Sequence, residues 1–362
     1  MTGRRVLQVL GSSAGGVARH VAQVAAALAA DGDRVVVAGP SALEPVVAAA
    51  GGVRFAAVEI ADRPALADLG AVARLAALAG EADAVHAHGL RAGALAVLAV
   101  RGRPRRTRPR VVVTLHNLPV GGRAIRTVSA TLGVVVARGA DVVLGVSGDL
   151  VALARSQGAR RAERALVPAP GRPAPAADAA TTRAGLGVGT DDDLVVTVAR
   201  LAPQKGLDTL VDAAAHAAGT RPGLVWVVAG DGPLHDELAA RAERAGAPVR
   251  LLGRREDVAD LMAAADVVAS AAVWEGQPLA VQEALALGAA VVATDAGGTR
   301  EVTGDAAVLV PVGDAAALGG AVAAVLGDDP RRAALRAAAT ARAATLPSLA
   351  DVLDQLAGAY AR

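Results

Sequence analysis

Short β-branched runs separated by longer alanine- and leucine-rich stretches recur along this chain in two series, and that alternation constrains the fold most strongly. In the first series the runs lie at residues 5–10, 34–38, 84–86, 111–115 and 142–146, with helical periodicity at 17–30 and 66–79 between them. The second series has runs at 194–198, 225–229, 249–252, 267–269 and 290–294. Between the two lies Val167-Pro-Ala-Pro-Gly-Arg-Pro-Ala-Pro-Ala176, too rich in proline for a helix or a central strand. The pattern predicts an α/β protein of two Rossmann-like domains facing across a cleft, residues 1–168 and 181–345, joined by a hinge over 169–180. A length of 362 residues suffices for two cores. In open parallel sheets ligands bind at the carboxyl ends of the strands, so the informative residues are those that follow each run.

Composition removes several classes of function. Without cysteine there is no disulfide, no thiolate metal site and no thiol nucleophile. The apolar runs fall short of the roughly 18–20 residues of a membrane span. The first of them stops at Gly11, too short for a signal peptide, so a soluble cytoplasmic chain is expected. Four aromatics (Phe55, Trp226, Trp274, Tyr360) are too few for a base-stacking platform, and no nucleic-acid partner is expected. The net charge of +2 hides opposed halves, with 22 basic and 11 acidic residues over 1–175 and the reverse bias beyond. The basic half suits an anionic partner, a phosphorylated acceptor or the inner face of a membrane. Much of that charge sits in a proline-broken loop from Arg101 to Arg110, for which peripheral membrane contact and plain solvation both stay open.

The first run leads into Gly11-Ser-Ser-Ala-Gly-Gly16 and a helix, where a backbone can approach an anion closely. Its spacing is not that of the G-x-G-x-x-G dinucleotide turn, and an ordinary tight turn explains it equally. Val85-His-Ala-His88 and Val113-Thr-Leu-His116 place histidines at two neighbouring strand ends, where they can orient a hydroxyl or bind phosphate. A metal would need a further carboxylate or cysteine, and none lies nearby. In the second half Arg200 and Lys205 leave a strand and approach a helix start near Asp208. Lys205 is the sole lysine against 36 arginines, and the two cations form a clamp suited to a diphosphate. Next comes Trp274-Glu-Gly-Gln-Pro-Leu-Ala-Val-Gln-Glu283, ending at Gly288 and predicting a helix over 278–287. Glu275 then precedes the helix and Glu283 lies on its second turn, so the pair can serve two hydroxyl-rich groups such as a hexose and a ribose. The free amides of the helix start meet the pyrophosphate between them. Gly230-Asp-Gly-Pro233 follows a strand and can wall the same pocket, whereas Asp191-Asp-Asp193 precedes one and reads as a solvated turn.

These residues resemble a retaining glycosyltransferase of family 4, with the two-domain glycosyltransferase-B fold, over essentially the whole chain. The most specific part is Glu275 and Glu283 at the E-x7-E spacing, followed by Gly288 and Thr294-Asp-Ala-Gly-Gly-Thr-Arg-Glu301. Arg200 with Lys205, Gly230-Asp-Gly-Pro and the stretch from Asp305 to Asp314 match in order and spacing; Gly15-Gly16, the run from Asp83 to His88, and Thr114-Leu-His116 match more loosely. Ala272, Gln277 and Pro170 depart from the family pattern, the first two on the sugar side and the last in the hinge. The resemblance implies transfer of a hexose from a UDP- or GDP-sugar to an acceptor hydroxyl, with retention and without a metal or other cofactor. It implies that Glu283 binds the ribose, and that Glu275 binds sugar hydroxyls with help from the backbone of Gly276, Gln277, Pro278 and Leu279. Arg200 and Lys205 would neutralise the leaving diphosphate, and His116 would stand by the sugar or acceptor. Gly16, Gly230 and Arg254 would complete the donor site, and His88 the acceptor side. A helix over 346–362 would cross back to the first domain. A non-hydrolysing nucleotide-sugar epimerase and a non-catalytic nucleotide-sugar-binding protein remain as alternatives. The first of these needs acid–base carboxylates where this chain has histidines.

Overall fold

The structure, a computed structural model, describes residues 3–12, 16–61, 65–104, 106–118, 122–168 and 174–361. The chain divides into two compact units, residues 1–168 with 347–362, and residues 169–346. Of the segment expected as a hinge, residues 169–173 lie outside the described residues. Its end is already helical, since the Asp178 carboxylate caps the helix Ala179–Gly185 by accepting from the Thr181 amide at 2.7 Å.

The first unit is built on a parallel sheet of β1 (Arg5–Leu10), β2 (Arg34–Gly39), β3 (Arg54–Ala57), β4 (Ala84–His88), β5 (Arg110–Leu115), β6 (Val142–Gly145) and β7 (Ala162–Arg164). Their order is β3-β2-β1-β4-β5-β6-β7. The central strands are buried along nearly their whole length, which is why they read as continuous apolar runs and not as alternating ones. β3 and β7 escaped the sequence reading: as edge strands paired on one side, Arg-Phe-Ala-Ala and Ala-Glu-Arg need little β-branched character. β4 also runs two residues further than expected, so His86 and His88 lie within a central strand. Register places Gln8 opposite His86 and His88 opposite Thr114, which gives one face of the sheet a buried polar row.

The helix Leu349–Tyr360 packs on this unit against β5 and the helix Gly16–Ala30. A capping box of Ser348 and Asp351 starts it. Gln355 fastens its middle, accepting from the Leu166 amide at 2.9 Å and donating to the Arg164 carbonyl at 2.7 Å. The arginine-rich loop is stitched down as well. Arg103 donates to the Ala76 carbonyl, Arg108 pairs with Asp141 at 3.2 Å, and Arg110 donates to the Ala359 carbonyl.

The second unit repeats the plan with β8 (Asp193–Val198), β9 (Leu224–Ala229), β10 (Val249–Gly253), β11 (Val267–Ser270), β12 (Val291–Thr294) and β13 (Ala307–Val310), all parallel. The order β10-β9-β8-β11-β12-β13 is that of a Rossmann fold. β13 is an edge strand that the sequence reading also omitted. Two apolar layers flank the sheet, one around Trp226 and Leu210, the other around Val227 and Met262. The Trp226 indole is fully buried and donates to the Thr197 hydroxyl at 3.0 Å. At the amino ends the acidic triplet is not simply solvated. Asp193 takes a two-pronged bond from Arg221 at 2.7 and 2.9 Å, and Asp192 accepts from the Gly189 amide. No helix among the described residues is long and apolar enough to cross a membrane.

Candidate active site

At the carboxyl edge of the second sheet, neighbouring loops are bonded into one rim. The Gly230 amide donates to the Gly253 carbonyl and the Leu201 amide to the Asp231 carbonyl, both at 2.8 Å, linking the turns after β8, β9 and β10. The loop after β8 makes a 3-10 turn at Pro203–Lys205 and then a left-handed Gly206 (φ 58°). A Cβ there would lie 2.1 Å from the Ala271 carbonyl oxygen, so only glycine lets this turn touch the loop after β11. The Val273 amide then donates to the Gln204 carbonyl at 2.9 Å.

This contact delivers Lys205 Nζ to Glu275 Oε1 at 2.5 Å, with the side chains 25% and 11% exposed. Glu275 is held from its other side too. The Gly298 amide donates to its carbonyl at 2.7 Å, and a Cβ on Gly297 would stand 2.2 Å from that same oxygen. Three loops from β8, β11 and β12 thus fix one half-buried ion pair, whose low-dielectric setting strengthens it relative to a surface pair.

The helix that follows is Leu279–Ala286, one residue shorter at each end than expected. Pro278, with ψ 86°, stands outside it as the cap, and its carbonyl accepts from the Gln282 amide at 3.0 Å. Gly276 and Pro278 are buried, while Gln277 and Leu279 are partly exposed. Val281, Ala284 and Leu285 anchor the helix in the core. Beside them the same helix buries two polar side chains. Glu283 is 6% exposed; Gln282 is fully buried, and neither polar atom of its amide has a partner. Arg200, at the end of β8, and Arg254, after β10, are exposed and make no ion pair among the described residues. The structure therefore brings Lys205 and Glu275 into contact, sets Glu283 on the adjoining helix, and leaves Arg200 exposed at the end of β8.

In the first unit Gly16 opens the helix Gly16–Ala30, and Gly15 lies outside the described residues. The histidines form a continuous network. His88 Nδ1 lies 3.2 Å from His116 Nε2, and His88 Nε2 lies 2.7 Å from Gln8 Oε1. His86 bonds the Tyr360 hydroxyl at 2.8 Å through Nδ1 and Thr114 Oγ1 at 2.7 Å through Nε2. Both ring nitrogens of His86 are thus engaged, and no metal-ligand cluster of His, Asp or Glu occurs among the described residues. Burial holds His86 and His116 down to about 3, His20 to about 4 and His88 well below the ordinary range. All four are neutral at physiological pH. Sequence reasoning gave no role to Gln8, Tyr360 or Thr114, the last standing only as part of the matching Thr114-Leu-His116. The available signals were a glutamine in the middle of an apolar strand and the sole tyrosine of the chain.

Against known proteins, residues 15–170 match the glycosyl transferase 4-like domain and residues 178–342 match the glycosyl transferases group 1. The lipopolysaccharide core biosynthesis mannosyltransferase LpsB of Rhizobium meliloti is 34% identical over 179 residues, 46% of this chain and 51% of that protein. A GDP-mannose-dependent monoacylated alpha-(1-6)-phosphatidylinositol monomannoside mannosyltransferase of Corynebacterium glutamicum is also 34% identical, over 47% of each chain. The chain spans about half the length of the curated relatives it matches. Among solved structures, Anabaena HepE in complex with UDP and glucose superposes with a TM-score of 0.81 at 23% identity, covering 98% of both chains. That likeness shows the two-domain glycosyltransferase-B fold.

Proposed function

We propose, from the premise that this chain belongs to the group 1 glycosyl transferases with a 4-like amino-terminal domain, that it transfers a hexose from a UDP- or GDP-sugar to an acceptor hydroxyl with retention of configuration. The observation that carries the reading is the Lys205–Glu275 pair, pinned by three loops at the carboxyl edge of the second sheet beside the helix that buries Glu283. Glu283 accepts from the ribose hydroxyls. Glu275 accepts from hydroxyls of the sugar, and the N–H groups of Gly276, Gln277 and Leu279 meet the pyrophosphate at the helix start.

In the reaction the acceptor oxygen bonds to the anomeric carbon on the face from which the diphosphate departs. The bond from that carbon to the diphosphate oxygen breaks, and the acceptor proton passes to the leaving oxygen. Negative charge grows on the diphosphate, and Lys205, held by Glu275, and the exposed Arg200 stabilise it, the role a divalent ion fills elsewhere. His116 takes a hydrogen bond from a hydroxyl of the reacting pair, with His88 behind it. The two mannosyltransferase relatives are named for lipopolysaccharide core biosynthesis and for a phosphatidylinositol monomannoside, so an envelope glycolipid is the acceptor class to try first.

The test is donor turnover. Purified chain incubated with UDP-glucose, UDP-galactose or GDP-mannose and an acceptor mixture should release nucleoside diphosphate and form an α-linked product. Lys205→Ala and Arg200→Ala should each lower turnover by about 100-fold or more while circular dichroism is unchanged. Near-native rates in both variants would overturn the clamp. Binding of a donor without any turnover across the acceptor panel would favour a nucleotide-sugar-binding protein.

A further inference from the structure

The buried row on the first sheet contains a single group that decides the state of every histidine it touches. Gln8 is fully buried in β1, its Nε2 donating to the Tyr360 hydroxyl at 3.1 Å and its Oε1 lying 2.7 Å from His88 Nε2. An amide oxygen only accepts, so His88 carries its proton on Nε2 and keeps a lone pair on Nδ1. The partner of that lone pair is His116 Nε2 at 3.2 Å, which must then be the protonated nitrogen of His116. What remains is His116 Nδ1, unprotonated and with no partner among the described residues. A second arm leaves the same amide. Tyr360, having accepted from Gln8, donates its own proton to His86 Nδ1, and His86 Nε2 donates to Thr114 Oγ1.

We propose that Gln8 is a positioning residue for glycosyl transfer, fixing His116 through His88 in the tautomer that offers Nδ1 as an acceptor for a substrate hydroxyl. This rests on the function proposed above. The arrangement has a directional logic: turning the amide over would invert every donor and acceptor in both arms and leave His116 presenting an N–H. The helix Leu349–Tyr360 takes part, because the Tyr360 hydroxyl is what occupies the donor end of Gln8. Burial keeps the row uncharged, so no member can escape the choice by carrying two protons. A polar strand residue at this depth is costly unless each of its bonds is made.

The experiment is imidazole nitrogen NMR on the full chain labelled with 15N-histidine, with signals assigned by single His→Gln variants, together with kinetics of Gln8→Met. In the native chain at neutral pH, His88 and His116 should both show the Nε2–H form. His116 in the Nδ1–H form overturns the proposal, whatever the activity. In Gln8→Met, His116 should populate both tautomers. Its kcat for releasing UDP from UDP-glucose or GDP from GDP-mannose, whichever the native chain turns over, should fall about tenfold or more while donor KM stays within about twofold. Unchanged tautomers and kcat in that variant also overturn it. A native chain that turns over no donor but shows the expected tautomers sinks the proposed reaction and supports the relay; an active chain with the reversed tautomer sinks the relay alone.

Discussion

Glu283 and Gln282 are consecutive on one helix, both buried, and physically opposite in what they predict. A carboxylate kept at 6% exposure in a core-anchored helix is tolerated where it meets a strong donor or a ligand hydroxyl. Glu283→Ala should weaken nucleoside diphosphate binding by about tenfold or more, read by calorimetry, since a bond to a charged group contributes roughly 1.5–3 kcal/mol. Donor affinity unchanged in that variant would remove the ribose role. The Gln282 amide has no partner for either polar atom, so Gln282→Leu should raise the unfolding free energy of the second unit by about 1 kcal/mol or more. A lower denaturation midpoint would show that the amide is satisfied in solution. The two carboxylates at their eight-residue spacing were readable from the sequence because helix signals around them, a proline before and a glycine after, are local. Gln282 was not, because nothing in Val-Gln-Glu tells which side chain turns inward and finds no partner.

Elements show the same division between local and distant causes. Strands buried on both faces announce themselves by composition, and β1, β5, β8 and β9 were found within a residue of their limits. Edge strands do so less consistently: β10 is readable as a run at 249–252, whereas β3, β7 and β13 are not, since half of an edge strand's bonding is unused and its pairing is supplied by one neighbouring strand. The helix Leu349–Tyr360 has its start written in Ser348 and Asp351, yet what Gln355, Ala359 and Tyr360 contact lies between roughly 190 and 350 residues away in sequence and left no local trace. Gln355→Ala removes two bonds to the edge strand region and should lower the stability of the first unit by about 1–3 kcal/mol. Thermal unfolding checks this; an unchanged midpoint would mean that apolar packing alone holds the helix.

On the scale of the whole molecule, the neutral histidines couple folding to pH. Each has a folded-state pKa below its ordinary value near 6.5, so the unfolded chain binds more protons between the two values. Stability is therefore full above about pH 6.5 and falls as the pH drops, by about 1.4 kcal/mol per pH unit for each histidine that stays neutral. His86, His88 and His116, the most strongly depressed, should dominate. Denaturant midpoints taken from pH 7.5 down to 4.5 should decline, and His86→Gln should flatten the decline; a flat native profile would contradict the buried network. The chain also passes from the first unit to the second and returns, because residues 347–362 belong with 1–168. During synthesis the ribosome must deliver the entire second unit before the segment that covers Gln8 and His86 exists. The nascent first unit is then left for many seconds with an uncapped polar seam, the interval in which a chaperone would be most needed.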